Sequence, residues 1–569
     1  MTHTSKFEKV SKHFSILCIG FFGLLAQALL FRFFLSVFDG NELSIGLFFF
    51  SWLIWVCIGA WLAKRQFISK LAKYFYILII LYLPLYLLQQ YLFTNAQTLL
   101  GGTSFELVSL NLLIPFVLFC NAPVSFMTGF LFVLGTEWIK ESSVPVVQIY
   151  IYESLGSFIG ALAVTLLLFA GYTEEPIFLV ATFIVLLSVL PHVFFKSGFI
   201  NRFSRPIILV LMAFAVLMLF TGYSQKWNNY NNRIEWRNYL NQGKYEGSFF
   251  TPQAKYLYGT YRGEFVVTAW NSTYESLPNT EVSSRIVGEY LSQNPKAEKV
   301  LVIGPGSFSI CRTFNKFSQI KEVVWLDTDS DYSKYLLKIM PEEFRVNTFD
   351  IKTSKYDIRK YIQKTNSKFD LIVLNLPNPS TLLLNRYFTL EFFQQLKRIT
   401  TQNGVIGINF PAGANYMGTE LSFMGGSLLF TLRQVYDHIV LKPGDVSCFF
   451  AATHKDIVSD IGTVLEKRLN GIKGIRNIFN PENIRSVFET NRIAFQIKRY
   501  NKVIEQYPSE MFLNTDKNPK SFLFTLLFTI KKLGGTGFSI SKLNMLLQVV
   551  FPVMILILFI YFLLRCFYY

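Results

Sequence analysis

Long apolar runs separated by short polar segments fill residues 1–223. A membrane-crossing helix needs about 20 apolar residues. Runs of this length predict seven spans, at 14–38, 44–63, 74–93, 107–134, 149–171, 176–195 and 206–223. The fourth is long and contains Pro115, Asn121 and Pro123, which predicts a kink. An eighth span is predicted at 544–566, so the pattern indicates an α-helical membrane domain with seven spans plus one C-terminal span.

The distribution of charge supports this division. Residues 1–223 carry 12 of the 54 Lys and Arg residues and 9 of the 37 Asp and Glu residues. The excess positive charge of the remainder favours attraction to anionic lipid over nucleic-acid binding, since no basic run is interleaved with aromatic residues that could stack on bases. We therefore expect a lipid bilayer, and no nucleic acid, as a partner.

The orientation of the predicted spans stays open. Basic residues in short loops favour the cytoplasmic side and place the N-terminus inside. Seven spans would then place the following domain outside. Basic residues that flank this domain on its membrane side, among them Lys226, Arg233 and Lys531, favour the inside instead.

The pattern changes after residue 223. Alternating runs at 256–261 and 264–270 predict a small antiparallel sheet. From residue 298 onward, buried apolar runs alternate with helix-compatible stretches, which predicts a parallel, doubly wound α/β sheet of the Rossmann-like kind. The predicted domains are a membrane domain (1–223), a small β-rich domain (224–297), the α/β domain (298–540) and a C-terminal transmembrane helix (541–569).

Candidate ligand-binding residues follow two of the predicted strands. Ligands of such sheets bind at the carboxyl ends of the strands. The turn Gly304–Gly306 lets the backbone approach a ligand, and Asp327 is placed to accept hydrogen bonds from ribose hydroxyls. The motif lacks a third glycine and fits either a nicotinamide cofactor or an S-adenosyl ligand. Asp327 could instead cap a helix at 331–340.

Several motifs together resemble a known family. They are VLVIGPG, VVWLDTD, YDIRKYI, FDLIVLNLPNPS, YFTLEFF and, near the end, NTDKNP. In order and spacing they are similar to the polyamine aminopropyltransferases (spermidine synthases), in the bacterial form fused to a multi-span membrane domain. This resemblance implies a methyltransferase-type fold preceded by a small β domain and a multi-pass location in the bacterial inner membrane.

The same resemblance implies the reaction. An aminopropyl group passes from decarboxylated S-adenosylmethionine, or a related S-adenosyl nucleoside, to an amine. The nucleoside is a co-substrate, and neither a metal nor a bound cofactor is expected. The expected small-molecule partners are this nucleoside and a polyamine, and the resemblance allows a homodimer.

The resemblance assigns a nucleoside-binding side of the site. Gly304 and Gly306 match the family's glycine turn. Asp327 matches the acidic residue that binds the ribose, and Asp329 follows in its usual place. Asp357 matches the residue directed at the adenine amino group, although it could also cap a helix at 357–364.

The amine-binding side departs from the family pattern. Ser307 replaces an Asp of the glycine turn, and Asn375 and Asn378 replace two carboxylates at the catalytic strand end. Glu281 remains from an acidic pattern upstream, and Glu275 is another candidate base. Because an amide accepts no proton at neutral pH and general acid–base assistance is typically worth about 10²–10⁴-fold, we expect weakened transfer to putrescine. Asn375 and Asn378 could also be turn residues before prolines.

Three functions therefore stay open at the level of sequence. The first is a membrane-bound aminopropyltransferase with an altered acceptor, for which Asn375, Asn378 and Glu281 are the candidate catalytic residues. The second is a catalytically inactive nucleoside-binding or scaffold membrane protein. The third is an S-adenosylmethionine-dependent methyltransferase.

Overall fold

The computed structural model describes most of the chain. The described residues are 3–38, 40, 42–65, 70–101, 108–140, 144–195, 199–345, 351–354, 356–535 and isolated positions between 552 and 560. The predicted C-terminal span at 544–566 lies almost wholly outside them. The chain divides into a first unit, residues 1–108 with 112–274, and a second unit, residues 109–111 with 275–569.

Helices make up the chain ahead of the first strand. They are α1 (His3–Val37), α2 (Glu42–Ala63), α3 (Phe75–Leu78), α4 (Tyr82–Thr94), α5 (Ala96–Leu99), α6 (Leu110–Cys120), α7 (Ala122–Trp138), α8 (Pro145–Phe169), α9 (Glu174–Phe195), α10 (Phe199–Phe220) and α11 (Tyr223–Tyr239). Short 3₁₀ turns at Lys70–Tyr74 and Ile79–Leu81 complete the segment around α3.

Within the described part of the chain, six helical segments are long and apolar enough to cross a membrane. They are Phe7–Val37, Glu42–Ala63, Lys70–Thr94, Pro145–Phe169, Glu174–Phe194 and Asn201–Phe220. Helices α6 and α7 form a bent pair with an angle of 40° and would make a seventh span if they cross as one. The bend falls where the sequence predicted a kink in the fourth span, while the number of crossings stays a prediction.

Glycines bring α1 and α8 close together. A Cβ atom added to Gly156 would lie 1.9 Å from the carbonyl oxygen of Leu17. One added to Gly160 would lie 2.4 Å from that of Phe21. Small residues allow such backbone approach between apolar helices.

Buried ion pairs connect elements of the first unit. Arg32 Nε donates to Glu174 Oε1 over 2.9 Å, so Arg32 is paired with another helix rather than extended into solvent. Lys255 pairs with Glu235 of α11. Burial alone would lower the pKa of Lys255, but the carboxylates of Glu235 and Glu174 outweigh it and raise that pKa above its ordinary value. The charged forms therefore hold each other in place.

The first sheet contains β1 (Lys244–Phe250), β2 (Lys255–Tyr261), β3 (Glu264–Ala269) and β4 (Ser272–Leu277) in that spatial order. Strand β2 pairs antiparallel with β1 and with β3. The two alternating runs of the sequence lie in β2 and β3. Whether 224–297 forms a domain of its own stays a prediction, because the contact-based division falls between residues 274 and 275.

The second sheet has seven strands in the order β10-β11-β9-β8-β5-β6-β7. They are β5 (Lys299–Ile303), β6 (Glu322–Leu326), β7 (Ile351–Thr353), β8 (Phe369–Leu374), β9 (Thr400–Pro411), β10 (His438–Lys442) and β11 (Val446–Ala452). The helices from Thr280 onward are α12 (Thr280–Gln293), α13 (Phe308–Phe314), α14 (Tyr332–Ile339), α15 (Glu342–Arg345), α16 (Ile358–Lys364), α17 (Leu382–Asn385), α18 (Leu390–Ile399), α19 (Thr419–Arg433), α20 (Gly462–Asn470), α21 (Ile484–Val487), α22 (Thr490–Gln506) and α23 (Lys520–Lys532).

This sheet corrects one prediction. Strands β5 to β9 are parallel, as predicted. Strands β10 and β11 are antiparallel to each other, and β11 is antiparallel to β9, so the sheet is mixed rather than wholly parallel. The segment 443–445 between β10 and β11 is too short for a crossover and permits only a hairpin.

The strand order fixes where a ligand can bind. From β5 the chain runs outward through β6 and β7, then returns to the other side of β5 as β8. Such a reversal opens a crevice at the carboxyl ends of the two central strands. Their apolar residues, such as Leu301 and Ile372, are fully buried, as expected for parallel strands covered on both faces.

Candidate functional site

The carboxyl ends of β5 and β8 touch at Gly304 and Asn375. Asn375 donates its backbone N–H to the carbonyl of Ile303 over 2.8 Å. A Cβ atom on residue 304 would lie 1.9 Å from the carbonyl oxygen of Asn375, and Gly304 has a φ of +145°. Both the space and the backbone conformation therefore require glycine here.

Asp327 connects the end of β6 to the glycine turn. Its Oδ2 accepts from the Gly306 N–H over 3.2 Å and its Oδ1 from the Asp329 N–H over 2.8 Å. The capping alternative for Asp327 is wrong, because the N-cap position of α14 is occupied by Asp331. Thr328 Oγ1 also donates to Asp327 Oδ1, over 3.4 Å.

Asp329 lies two residues after Asp327 and is buried, with 1% of its surface exposed. Its Oδ1 accepts from the Asp331 N–H over 3.1 Å. This contact shapes the turn between β6 and α14, so the observed contact of Asp329 is structural.

Asn375 and Ser307 join the two strand ends through their side chains. Asn375 Nδ2 donates to Ser307 Oγ over 3.0 Å. No donor among the described residues reaches Asn375 Oδ1, which leaves this atom to accept a hydrogen bond from a ligand. Asn378 is half-buried, and its carbonyl accepts from the Ser380 N–H over 2.6 Å. This contact agrees with a turn role for Asn378.

The remaining candidate bases differ in burial. Glu275 is 1% exposed, and its Oε2 accepts from the Phe308 N–H over 2.9 Å. Burial, opposed by this hydrogen bond and reinforced by the charge of Asp327, raises the pKa of Glu275 well above its ordinary value. A raised pKa favours the neutral form of the carboxyl group, which accepts no further proton. Glu281 is exposed in the first turn of α12.

Asp357 is the N-cap residue of α16, so the capping alternative is confirmed for this residue. Its Oδ1 accepts from the N–H groups of Arg359 and Lys360 over 3.0 and 3.4 Å. The guanidinium of Arg386 reaches the same oxygen over 3.0 Å. The side chain is 42% exposed, so the carboxylate can still receive a donor from a ligand.

An ion pair beside Asp357 was not predicted from the sequence. Arg359 Nη1 and Nη2 donate to Asp516 Oδ2 and Oδ1 over 2.6 and 2.7 Å. Thr389 Oγ1 donates to Asp516 Oδ1 over 2.8 Å. Hydrogen bonding from Arg359 lowers the pKa of Asp516. The motif NTDKNP was the signal for Asp516, but its partners lie more than 120 residues away.

The site therefore has two chemically different sides. Carboxylates at Asp327 and Asp357 can bind the hydroxyl and amino groups of a nucleoside. Uncharged polar groups, from Asn375 and Ser307, follow the ends of β8 and β5.

Comparisons with known proteins find similarity in the second unit. Residues 280–409 match the spermine/spermidine synthase domain. The polyamine aminopropyltransferase of Leptospira interrogans is 26% identical over 178 residues, which cover 29% of this chain and 36% of that protein. The enzyme of Pyrobaculum calidifontis is 26% identical over 195 residues, covering 28% and 65%. The chain thus spans between about a third and two thirds of the length of these curated relatives.

Solved structures are similar to this chain only at low identity and low TM-score. A spermidine synthase in complex with the transition-state analogue AdoDATO has a TM-score of 0.37 at 14% identity, covering 46% of this chain and 88% of that one. Spermidine synthase from Thermotoga maritima has a TM-score of 0.36 at 15% identity, covering 45% and 87%. Human methyltransferase-like protein 13 in complex with SAH has a TM-score of 0.28 at 17% identity, covering 34% and 94%.

The matched domain contains the glycine turn, Asp327, Asp357 and Asn375. Over this domain, the chain is similar to the polyamine aminopropyltransferase (spermidine synthase) family.

Proposed function

We propose that the chain binds an S-adenosyl nucleoside at the carboxyl ends of β5, β6 and β8 and transfers the aminopropyl group of decarboxylated S-adenosylmethionine to an amine. The observation that carries this proposal is the pairing of Asp327 with the Gly306 N–H beside the β5–β8 crevice. It brings a ribose acceptor and a close-approach turn together inside the matched domain.

The reaction balances without a metal. The amine nitrogen forms a bond to the carbon beside the sulfonium, the carbon–sulfur bond breaks, and methylthioadenosine leaves with the electron pair. The attacking amine must first lose a proton, and such amines have a pKa of about 10.4. With neutral Asn375 at the strand end, this proton goes to solvent, and Asn375 Oδ1 orients the neutral amine through a hydrogen bond.

This arrangement favours an acceptor of low charge. An amide holds a neutral amine by one hydrogen bond but offers a diammonium ion no compensating charge. Transfer is therefore slow at neutral pH and becomes faster toward the pKa of the amine, because the neutral fraction of the acceptor increases.

A second candidate function is nucleoside binding without transfer. It is favoured by one contact, the hydrogen bond between Asn375 and Ser307, since these two neutral side chains supply no base. In this case the α/β part would act as a nucleoside-responsive or scaffold element.

We also propose a multi-pass location in a cell membrane, supported by the six apolar helices. The test is extraction of membranes with alkaline carbonate, which releases peripheral proteins. Retention in the pellet supports the proposal, and release into the supernatant contradicts it.

The test of the activity is a product assay on the full chain in detergent. Decarboxylated S-adenosylmethionine is supplied with putrescine, spermidine or a monoamine, and methylthioadenosine is measured by mass spectrometry. Amine-dependent methylthioadenosine supports transfer. Binding of methylthioadenosine without product supports the second candidate, and methyl transfer from S-adenosylmethionine would indicate a methyltransferase. Absence of binding would contradict the nucleoside site itself.

A further inference from the structure

The residues around Asp357 form a closed set of contacts that includes a segment outside the matched domain. Asp357 Oδ1 accepts from the Arg359 N–H and from the Arg386 guanidinium. The guanidinium of Arg359 in turn donates to the backbone carbonyl of Arg386. The two arginines that contact Asp357 are therefore tied to each other.

Asp516 contacts this group of residues through the side chain of Arg359. Its two oxygens receive both terminal nitrogens of Arg359, a forked geometry that fixes the guanidinium plane as well as its position. Arg359 is well covered, with 13% of its side chain exposed. A buried guanidinium that lost this partner would have to reorient, and its contact with Arg386 would change with it.

The segment that carries Asp516 is itself firmly anchored. Asn514 is fully buried and donates from Nδ2 to the carbonyl of Phe388 over 2.9 Å. The Asp516 N–H donates to Glu391 Oε2 over 3.0 Å. Residues 514–516 are thus docked on the start of α18 and can act as a fixed support rather than as a mobile loop.

We propose that Asp516 is a positioning residue for the nucleobase: through its forked ion pair with Arg359 it keeps Arg386 in place, and with it the orientation of Asp357 toward the amino group of an adenine. This inference deepens the proposed function and rests on it. The structure shows the contacts that link Asp516 to Asp357 through Arg359 and Arg386, and the direction of Asp357 toward adenine is part of the proposal. Asp516 lies more than 100 residues beyond the matched segment 280–409, so the matched family domain does not include it.

The test is a comparison of two ligands on the full chain in detergent. Methylthioadenosine carries the adenine amino group, and methylthioinosine lacks it, so the ratio of their Kd values reports the contact to the base. The wild type is expected to prefer methylthioadenosine. In Asp516→Asn this preference is expected to fall by about tenfold, the size associated with a hydrogen bond to a charged group. Asp516→Glu, which keeps the charge, should restore part of it.

The matched control is Glu322→Gln. Glu322 is an ion-paired carboxylate at the amino end of β6, 2.6 Å from Lys352 Nζ, at the opposite edge of the sheet. The Glu322→Gln substitution should lower neither the affinity for methylthioadenosine nor the preference between the two ligands. If Asp516→Asn fails to fold, Arg359→Lys removes the fork while keeping the charge and should show the same loss of preference.

The outcomes separate the two proposals. A wild type that binds neither ligand overturns the proposed function together with this inference. A wild type that binds both equally, or an Asp516→Asn variant that weakens both equally, overturns the positioning role alone. A selective loss of affinity for methylthioadenosine in Asp516→Asn supports the positioning role.

Discussion

The side-chain amide of Asn375 donates to Ser307 Oγ over 3.0 Å, across the ends of two adjacent parallel strands. The contact joins two of the three positions at which the resemblance implies carboxylates. Both side chains in it are neutral.

Asn375→Asp should therefore increase the transfer rate with a diamine. A carboxylate at this position can accept the amine proton, and such assistance is worth about 10²-fold or more. The measurement is methylthioadenosine formation with putrescine at neutral pH. Asn378→Asp is the matched control, because Asn378 occupies a turn and should gain much less. Equal gains, or none in either variant, would contradict the role assigned to Asn375.

Asp327→Asn should weaken methylthioadenosine binding by about tenfold or more, since hydrogen bonds to charged groups contribute about 1.5–3 kcal/mol. The amide also presents a donor where the Gly306 and Asp329 N–H groups require acceptors. Isothermal titration calorimetry measures the change. The control is Asp331→Asn, which removes only an exposed pair with Lys334. Unchanged affinity in Asp327→Asn would argue against a ribose contact.

Gly304→Ala should destabilise the α/β part. The added Cβ would overlap the carbonyl of Asn375, and the backbone conformation is unfavourable for alanine. A cost of about 3 kcal/mol corresponds to a fall in Tm of roughly 6–12 °C for a domain of this size. Gly471→Ala, at a φ of −77°, is the control and should leave Tm nearly unchanged. Equal shifts of Tm in both variants would contradict the requirement for glycine at position 304.

The raised pKa of Glu275 predicts a specific pH dependence of the protein's stability. Burial raises its folded-state pKa well above the ordinary 4.5. Its stabilising contribution is therefore complete below pH 4.5 and is lost as the pH rises through the raised value. Glu275→Gln mimics the neutral acid, so the Tm of the wild type relative to this variant should fall as the pH rises above 4.5. A constant difference for Glu275→Gln would mean that the group is charged in the folded protein.

The sequence predicted the parts of the fold that depend on local pattern. Strands β5, β6 and β8 are continuous apolar runs, and Gly304 and Asp327 were identified at the ends of the first two, whereas Asn375 was identified from the family resemblance. The hairpin of β10 and β11 was not predicted because its direction depends on a short connection and not on hydrophobicity. The partners of Asp516 were also missed, since an ion pair between distant segments leaves no spacing in the sequence.

The reversal of strand order at β5 has a consequence for how the protein is synthesised. Strand β5 pairs with β6, which follows it closely, but also with β8, where Val300 is aligned with Leu371. Pairing between distant segments is slow because a long loop must close first. During translation, the first helices emerge long before β8, so a nascent chain that ends before β8 has no nucleoside crevice. We therefore expect that the ligand stabilises only chains in which β8 has already joined the sheet.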